Sequence, residues 1–132
     1  MDMTFTLPGG ARVDGRAGPF TIHTDQPPDS TAPSPFTLFL ASIGACAGFY
    51  VSAFCRKRGI ATDDIRIVQR HETSPDGMVT AVDLEIQLPE NFPEQYRDAV
   101  VRAADRCTVK QHLAHPPRVV TRASQGAYSA AG

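Results

Sequence analysis

The hydrophobic pattern of this chain moves from a two-residue period to a helical one and back. Residues 3–7 (MTFTL) read as a short strand and PGG (8–10) as a turn; ARVDGRAG (11–18) then leads through further glycines into FTIHTD (20–25). In that last run Phe20, Ile22 and Thr24 alternate with Thr21, His23 and Asp25. QPPDSTAPSP (26–35) breaks the alternation with four prolines and two serines, and reads as an extended loop long enough to cover a site.

A long helix is expected to begin near Pro35. Ser34 is a suitable cap, and proline fits the first helical position, where its missing N–H is not needed. Gly59 is its expected end, after Arg56, Lys57 and Arg58, cations well placed at the negative end of the helix dipole. Between these signals the segment is apolar on every side, so it must be surrounded by protein or by lipid. The uncharged run 35–55 followed by RKR meets the length and flank criteria for a membrane span. Against a span, Ser42, Gly44, Ala45, Ala47, Gly48 and Ser52 dilute its centre, and both flanks read as amphipathic pieces in need of a common core. The expectation is a buried helix and no membrane.

A hairpin follows. Ile65 and Ile67 alternate with Arg66, SPDG (74–77) is a strong turn, and in MVTAVDLEIQL (78–88) Val82, Leu84, Ile86 and Leu88 share one face while Asp83, Glu85 and Gln87 share the other. One wet face means a sheet covered on one side only. A second helix starts near Pro93 with a stripe formed by Tyr96, Val100, Ala103 and Cys107, which puts Cys107 on a buried helix face. TVKQHL (108–113) continues or restarts that helix and HPP (115–117) stops it. RVVTRAS (118–124) is a candidate last strand, and residues 126–132 an expected frayed tail. The whole reads as one domain, 1–132, with order β–β–β, long helix, β–β, helix and a further strand.

The charge balance narrows the partners. Thirteen basic against fourteen acidic residues give a net charge of −1 with no run of one sign, which does not suggest a nucleic-acid surface. MDMTFTLPGG lacks the basic start and apolar centre of a secretory signal, so the chain is expected to be cytoplasmic, where thiols stay reduced. Its three cysteines, Cys46, Cys55 and Cys107, show no CxxC spacing and do not make a disulfide framework.

Two of these cysteines share a property: Cys46 and Cys107 each lie on a helix face expected to point inward. They are either two separate packed thiols or a pair in which one thiolate is oxidised to a sulfenic acid and captured by the other. Cys46 lies near the middle of its helix, so that helix's dipole cannot favour its thiolate, and an arginine from another element is the expected source of positive field. Cys55, nine positions after Cys46, points to the opposite side and is read as structural. His112 and His115, near Cys107, make at most an incomplete metal corner, and His23 and His71 have no partner motif; no metal site is expected.

APSPFTLFLASIGACAGFYVSAFCRKRGI (32–60) resembles the central-helix signature of the OsmC/Ohr family. PEQYRDAVVRAADRCTVKQHL (93–113) is similar to that family's second cysteine helix, and GGARVDG (9–15) to its Gly-rich N-terminal hairpin. Together these cover about residues 4 to 122. The resemblance implies an α+β fold in which two chains intertwine as a homodimer, with central helices buried between antiparallel β-sheets and sites at the subunit interface. It implies a thiol-dependent peroxidase acting on organic or inorganic hydroperoxides, with Cys46 as the peroxidatic thiol and Cys107 as the resolving one. Arg12 corresponds best to the family's arginine, with Arg16 as runner-up. No bound cofactor is implied; an external dithiol or lipoyl-type reductant would recycle the pair. Phe36, Phe39, Phe49 and Tyr50 would suit an alkyl or aryl hydroperoxide.

Two positions depart from that pattern. Where peroxidase members carry a Glu that holds the arginine, this chain has Phe36 and Thr37, which leaves Asp14 or Asp29 as substitutes; after the second cysteine, where proline is frequent, it has Thr108. The alternative reading is a non-enzymatic dimer of the same fold that binds a small apolar or thiol-bearing ligand between its subunits.

Overall fold

A computed structural model describes residues 1–126. Beyond Gly126, the tail expected to fray lies outside the described residues. Three antiparallel strands come first, β1 (Met3–Gly9), β2 (Arg12–Ala17) and β3 (Phe20–Thr24), in the order β1-β2-β3. Phe5 faces Gly15 across β1 and β2, and only a residue without a side chain leaves room there for its ring. This sheet scarcely touches the rest of the chain, and Met3, Phe5, Leu7 and Phe20 are exposed on it.

The loop after β3 is organised by Asp25. Its carboxylate accepts the N–H of Gln26 (2.8 Å), the N–H of Thr31 (2.9 Å) and the hydroxyl of Thr31 (2.9 Å). The Asp25 N–H in turn donates to the carbonyl of Pro33 at 3.2 Å, which closes the loop just before the helix.

The long helix α1 runs over Pro35–Lys57. Ser34 caps it, accepting the Thr37 N–H at 3.1 Å, and Pro35 opens its first turn. At the far end Gly59, at φ +65°, reverses the chain: its N–H reaches the Arg56 carbonyl and that of Ile60 the Cys55 carbonyl. The Arg58 guanidinium donates to the Phe54 carbonyl at 3.0 Å and lies 3.6 Å over the Phe54 ring, so a cation closes the negative end of the helix.

Next comes the hairpin of β4 (Arg66–Thr73) and β5 (Val79–Gln87), with Ile67 opposite Ile86 and Gln69 opposite Leu84. Ile67, Leu84 and Ile86 turn toward α1, and Asp83, Glu85 and Gln87 toward solvent, as the alternation predicts. Gly44 is where the sheet approaches α1 most closely. A methyl group there would stand 2.6 Å from the Gln69 Oε1, and the Gln69 amide donates to the Leu40 carbonyl at 2.9 Å. A 3₁₀ turn (Glu94–Tyr96) then leads into α2 (Arg97–Ala104), and a short α3 (Thr108–Ala114) ends the regular structure. The core lies where Ala47, Val51, Phe54 and Cys55 of α1 meet Phe92, Val100 and Ala104. A fully buried Val such as Val100 contributes about 1.5–3 kcal/mol to holding α2 on α1.

Two expectations are corrected. Cys107 is not inside a helix: the chain turns between α2 and α3, and Cys107 is the residue that caps α3. Residues 118–124 form no strand, because no edge of either sheet within the chain pairs with them; Val119 and Val120 are exposed. The single chain covers α1 on one side only. It is long and apolar enough to cross a membrane, with a mean hydropathy of 1.8, yet Phe36, Phe39 and Phe49 face outward.

Candidate functional site

Helix α3 brings the two cysteines together. Helices begin with N–H groups that have no partner within the helix and so attract negative charge. In α3 three of these groups are shared between two sulfurs. The Lys110 N–H donates to the Cys107 Sγ at 3.4 Å, while those of Thr108 and Val109 lower the Cys46 thiol. Cys46 stands mid-way along α1 and is partly exposed; Cys107 is buried, with its Sγ 4.0 Å from the carbonyl oxygen of Ile43, one turn before Cys46.

The two thiols differ in acidity for stated reasons. Burial pushes the Cys46 thiol up, but the Val109 N–H, the Cys107 S–H and the Thr108 N–H outweigh it and hold Cys46 below the ordinary thiol value. Burial pushes the Cys107 thiol up, and donating its proton to Cys46 pushes it further; the Lys110 N–H opposes both. The two shifts run in opposite directions, so of the pair Cys46 is the thiol that ionises more readily. Cys55, wholly buried behind α1, has its thiol pushed up by burial, with Arg58 opposing.

Among the described residues of one chain, the groups acting on Cys46 belong to α3 and Cys107, and none is an arginine. Arg12 lies at the start of β2 with its Nη2 3.5 Å from Asp14, which also holds the His23 ring at 2.9 Å. Asp14 thus supplies the carboxylate beside Arg12 that Phe36 and Thr37 do not. Asp29 lies exposed in the loop after β3, and Arg16 is exposed four positions further along β2.

The four aromatic candidates fall into two groups. Phe36 and Phe39 stack with centroids 5.7 Å apart. With Leu40, Ile43, Leu84 and Leu113 they line a largely apolar groove of about 600 Å³ that adjoins the cysteines through Ile43 and Lys110. Phe49 and Tyr50 lie outside it and meet edge to face at 5.3 Å, with the Tyr50 hydroxyl 3.1 Å from that of Thr108. The His112 Nδ1 is bonded to the Thr108 carbonyl at 2.7 Å and His115 terminates α3.

The OsmC-like protein family model matches residues 27–122, from the loop before α1 to beyond α3. The chain belongs to the OsmC-like family. The match leaves out β1–β3, the sheet that carries Arg12. Solved structures share the fold of this OsmC-like chain. One, from Psychrobacter arcticus 273-4 and named for osmotic stress induction and a detoxification response, has a TM-score of 0.69 at 19% identity, covering 83% of this chain and 85% of its own. The OsmC like protein of Mycoplasma pneumoniae has a TM-score of 0.64 at 19% identity, covering 87% of each chain. The organic hydroperoxide resistance protein OsmC of Legionella pneumophila has a TM-score of 0.53 at 17% identity, covering 86% of this chain and 89% of its own. No curated protein sequence matches this one.

Proposed function

We propose that this OsmC-like protein is a thiol-dependent peroxidase for organic hydroperoxides. The observation that carries the reading is the Cys46–Cys107 pair at the start of α3, whose surroundings lower the Cys46 thiol and raise that of Cys107. The Cys46 thiolate attacks the terminal peroxide oxygen; an S–O bond forms, the O–O bond breaks, and the alkoxide leaves with a proton as an alcohol. Cys107 then attacks the Cys46 sulfenic acid, water departs and a disulfide forms. A dithiol, such as a lipoyl-type reductant, returns both thiols and is itself oxidised. Loss of the Cys46 charge on oxidation removes an influence that keeps the Cys107 thiol raised, so Cys107 ionises more readily for its attack. The groove beside Phe36 and Phe39 suits an alkyl or aryl group.

The test is consumption of cumene or t-butyl hydroperoxide with a dithiol present. Cys46→Ser is expected to abolish turnover, and Cys107→Ser to retain a single round of reduction without forming the intramolecular disulfide. Undiminished turnover in Cys46→Ser would sink the reading. The rival, a non-enzymatic ligand-binding member, draws support from Phe36 at the start of the groove; it predicts no turnover in the native protein, with apolar ligands still bound.

A further inference from the structure

Helix α3 is held over Cys46 by very little. It has seven residues, none of them buried, and is joined to α2 through the turn at Arg106 and Cys107. Its own ionisable groups are occupied within or beside it: the Lys110 ammonium lies 2.7 Å from Asp105, and His112 bonds the Thr108 carbonyl. Beyond the contacts of the two sulfurs, one side-chain hydrogen bond ties its first turn to α1, that between Tyr50 and Thr108 at 3.1 Å. Tyr50 follows Cys46 by one helical turn and so lies on the same side of α1. Thr108 is also one of the two residues whose backbone N–H lowers the Cys46 thiol. The hydroxyl bond and the N–H contact therefore converge on a single residue.

We propose that Tyr50 and Thr108 are positioning residues for Cys46: their hydroxyl bond clamps the first turn of α3 onto α1 and keeps its N–H groups aimed at the sulfur. The inference rests on the reading of Cys46 as the reacting thiol, and assigns Tyr50 a role distinct from contact with substrate. Without the clamp α3 stays folded but drifts, and the N–H groups no longer favour the charged form. A side chain at 108 that keeps its hydroxyl preserves both contacts.

The experiment follows alkylation of Cys46 by iodoacetamide in the reduced, full-length protein from pH 5 to 10, read by peptide fragmentation. Tyr50→Phe and Thr108→Val are expected to move the midpoint of the rate profile upward. Alkylation at pH 6 slows by about threefold to tenfold, and the rates converge at high pH where every variant is ionised. Thr108→Ser restores the native profile, and the Tyr50→Phe/Thr108→Val double variant shifts no further than either single one. Melting curves check that each variant is folded. A native midpoint in both Tyr50→Phe and Thr108→Val overturns the clamp, as does a Thr108→Ser profile that matches Thr108→Val. Because alkylation needs no hydroperoxide, a shifted midpoint in a protein without turnover upholds the clamp while the peroxidase reading falls. Turnover with unshifted midpoints does the reverse.

Discussion

At the scale of single residues, the three cysteines are separated by what surrounds each sulfur. Cys46 is partly exposed and sees N–H groups, Cys107 is buried with its proton engaged, and Cys55 is buried behind α1 with its thiol raised. Thiolate character and access both govern thiol reactivity, so the expected order of alkylation in the native protein at neutral pH is Cys46, then Cys107, with Cys55 unreacted until denaturant is added. Mass mapping of the labelled sites over time checks this; early labelling of Cys55 would show that α1 does not bury it. The helical stripe and the small-residue block made Cys46 and Cys107 legible as an inward-facing pair. The N–H groups that act on Cys46 were not legible, because they depend on the chain turning at Cys107. A stripe at i, i+4, i+7 and i+11 looks the same whether its helix continues or restarts.

Among the elements, those whose boundaries carry their own chemistry were the most readable. Ser34 and Pro35 opened α1, Gly59 closed it, and the alternation of 78–88 set the inward face of β5. The candidate strand at 118–124 failed for a physical reason: β-branched residues favour a pleated surface, but a strand also needs a partner edge, and none of the described strands pairs with it. The loop after β3 hides its organiser, since Asp25 closes it through bonds that composition does not reveal. The N–H groups of Thr31 and Gln26, then the Thr31 hydroxyl, hold the Asp25 carboxyl below its ordinary value of 3.8, with burial opposing and Arg12 assisting. A carboxyl lowered by folding contributes stability that is complete above that ordinary value and is lost as pH falls through the folded one. Accordingly, the amide protons of Gln26 and Thr31 should titrate together in NMR spectra with a midpoint below 3.8. Asp25→Asn should remove that titration and leave the α1 cap at Ser34 in place. Two separate midpoints for the two amides would mean that Asp25 does not join them.

For the molecule as a whole, the decisive feature is apolar surface that one chain leaves uncovered. Met3, Phe5, Leu7 and Phe20 are exposed on the N-terminal sheet, Phe36, Phe39 and Phe49 on α1, and Val119 and Val120 on the segment after α3. Single exposed apolar residues are ordinary, but three elements carrying them together call for a common cover. The uniformly apolar character of α1 has the same explanation, for a helix that meets its own chain on one side and a second surface on the other needs no polar face. We predict that the second surface is another copy of this chain: two copies bring two N-terminal sheets and two α1 helices, and so offer each apolar face a like partner. Light scattering after gel filtration should then give twice the chain mass of 14.2 kDa at micromolar concentration. Phe49→Glu, at 59% exposure in the single chain, should shift the population toward monomer, because a buried carboxylate without a partner opposes association. A native protein that elutes as a 14.2 kDa species over that range, stable to heating and free of aggregation, would remove the second copy as the cover of α1. The sheet that carries Arg12 bears on the same point. Within one chain it scarcely touches α1 and leaves Arg12 against Asp14, so any approach of Arg12 to Cys46 has to come with assembly. Arg12→Ala should therefore leave the Cys46 alkylation profile unchanged in a monomeric Phe49→Glu background and raise its midpoint only in the dimer.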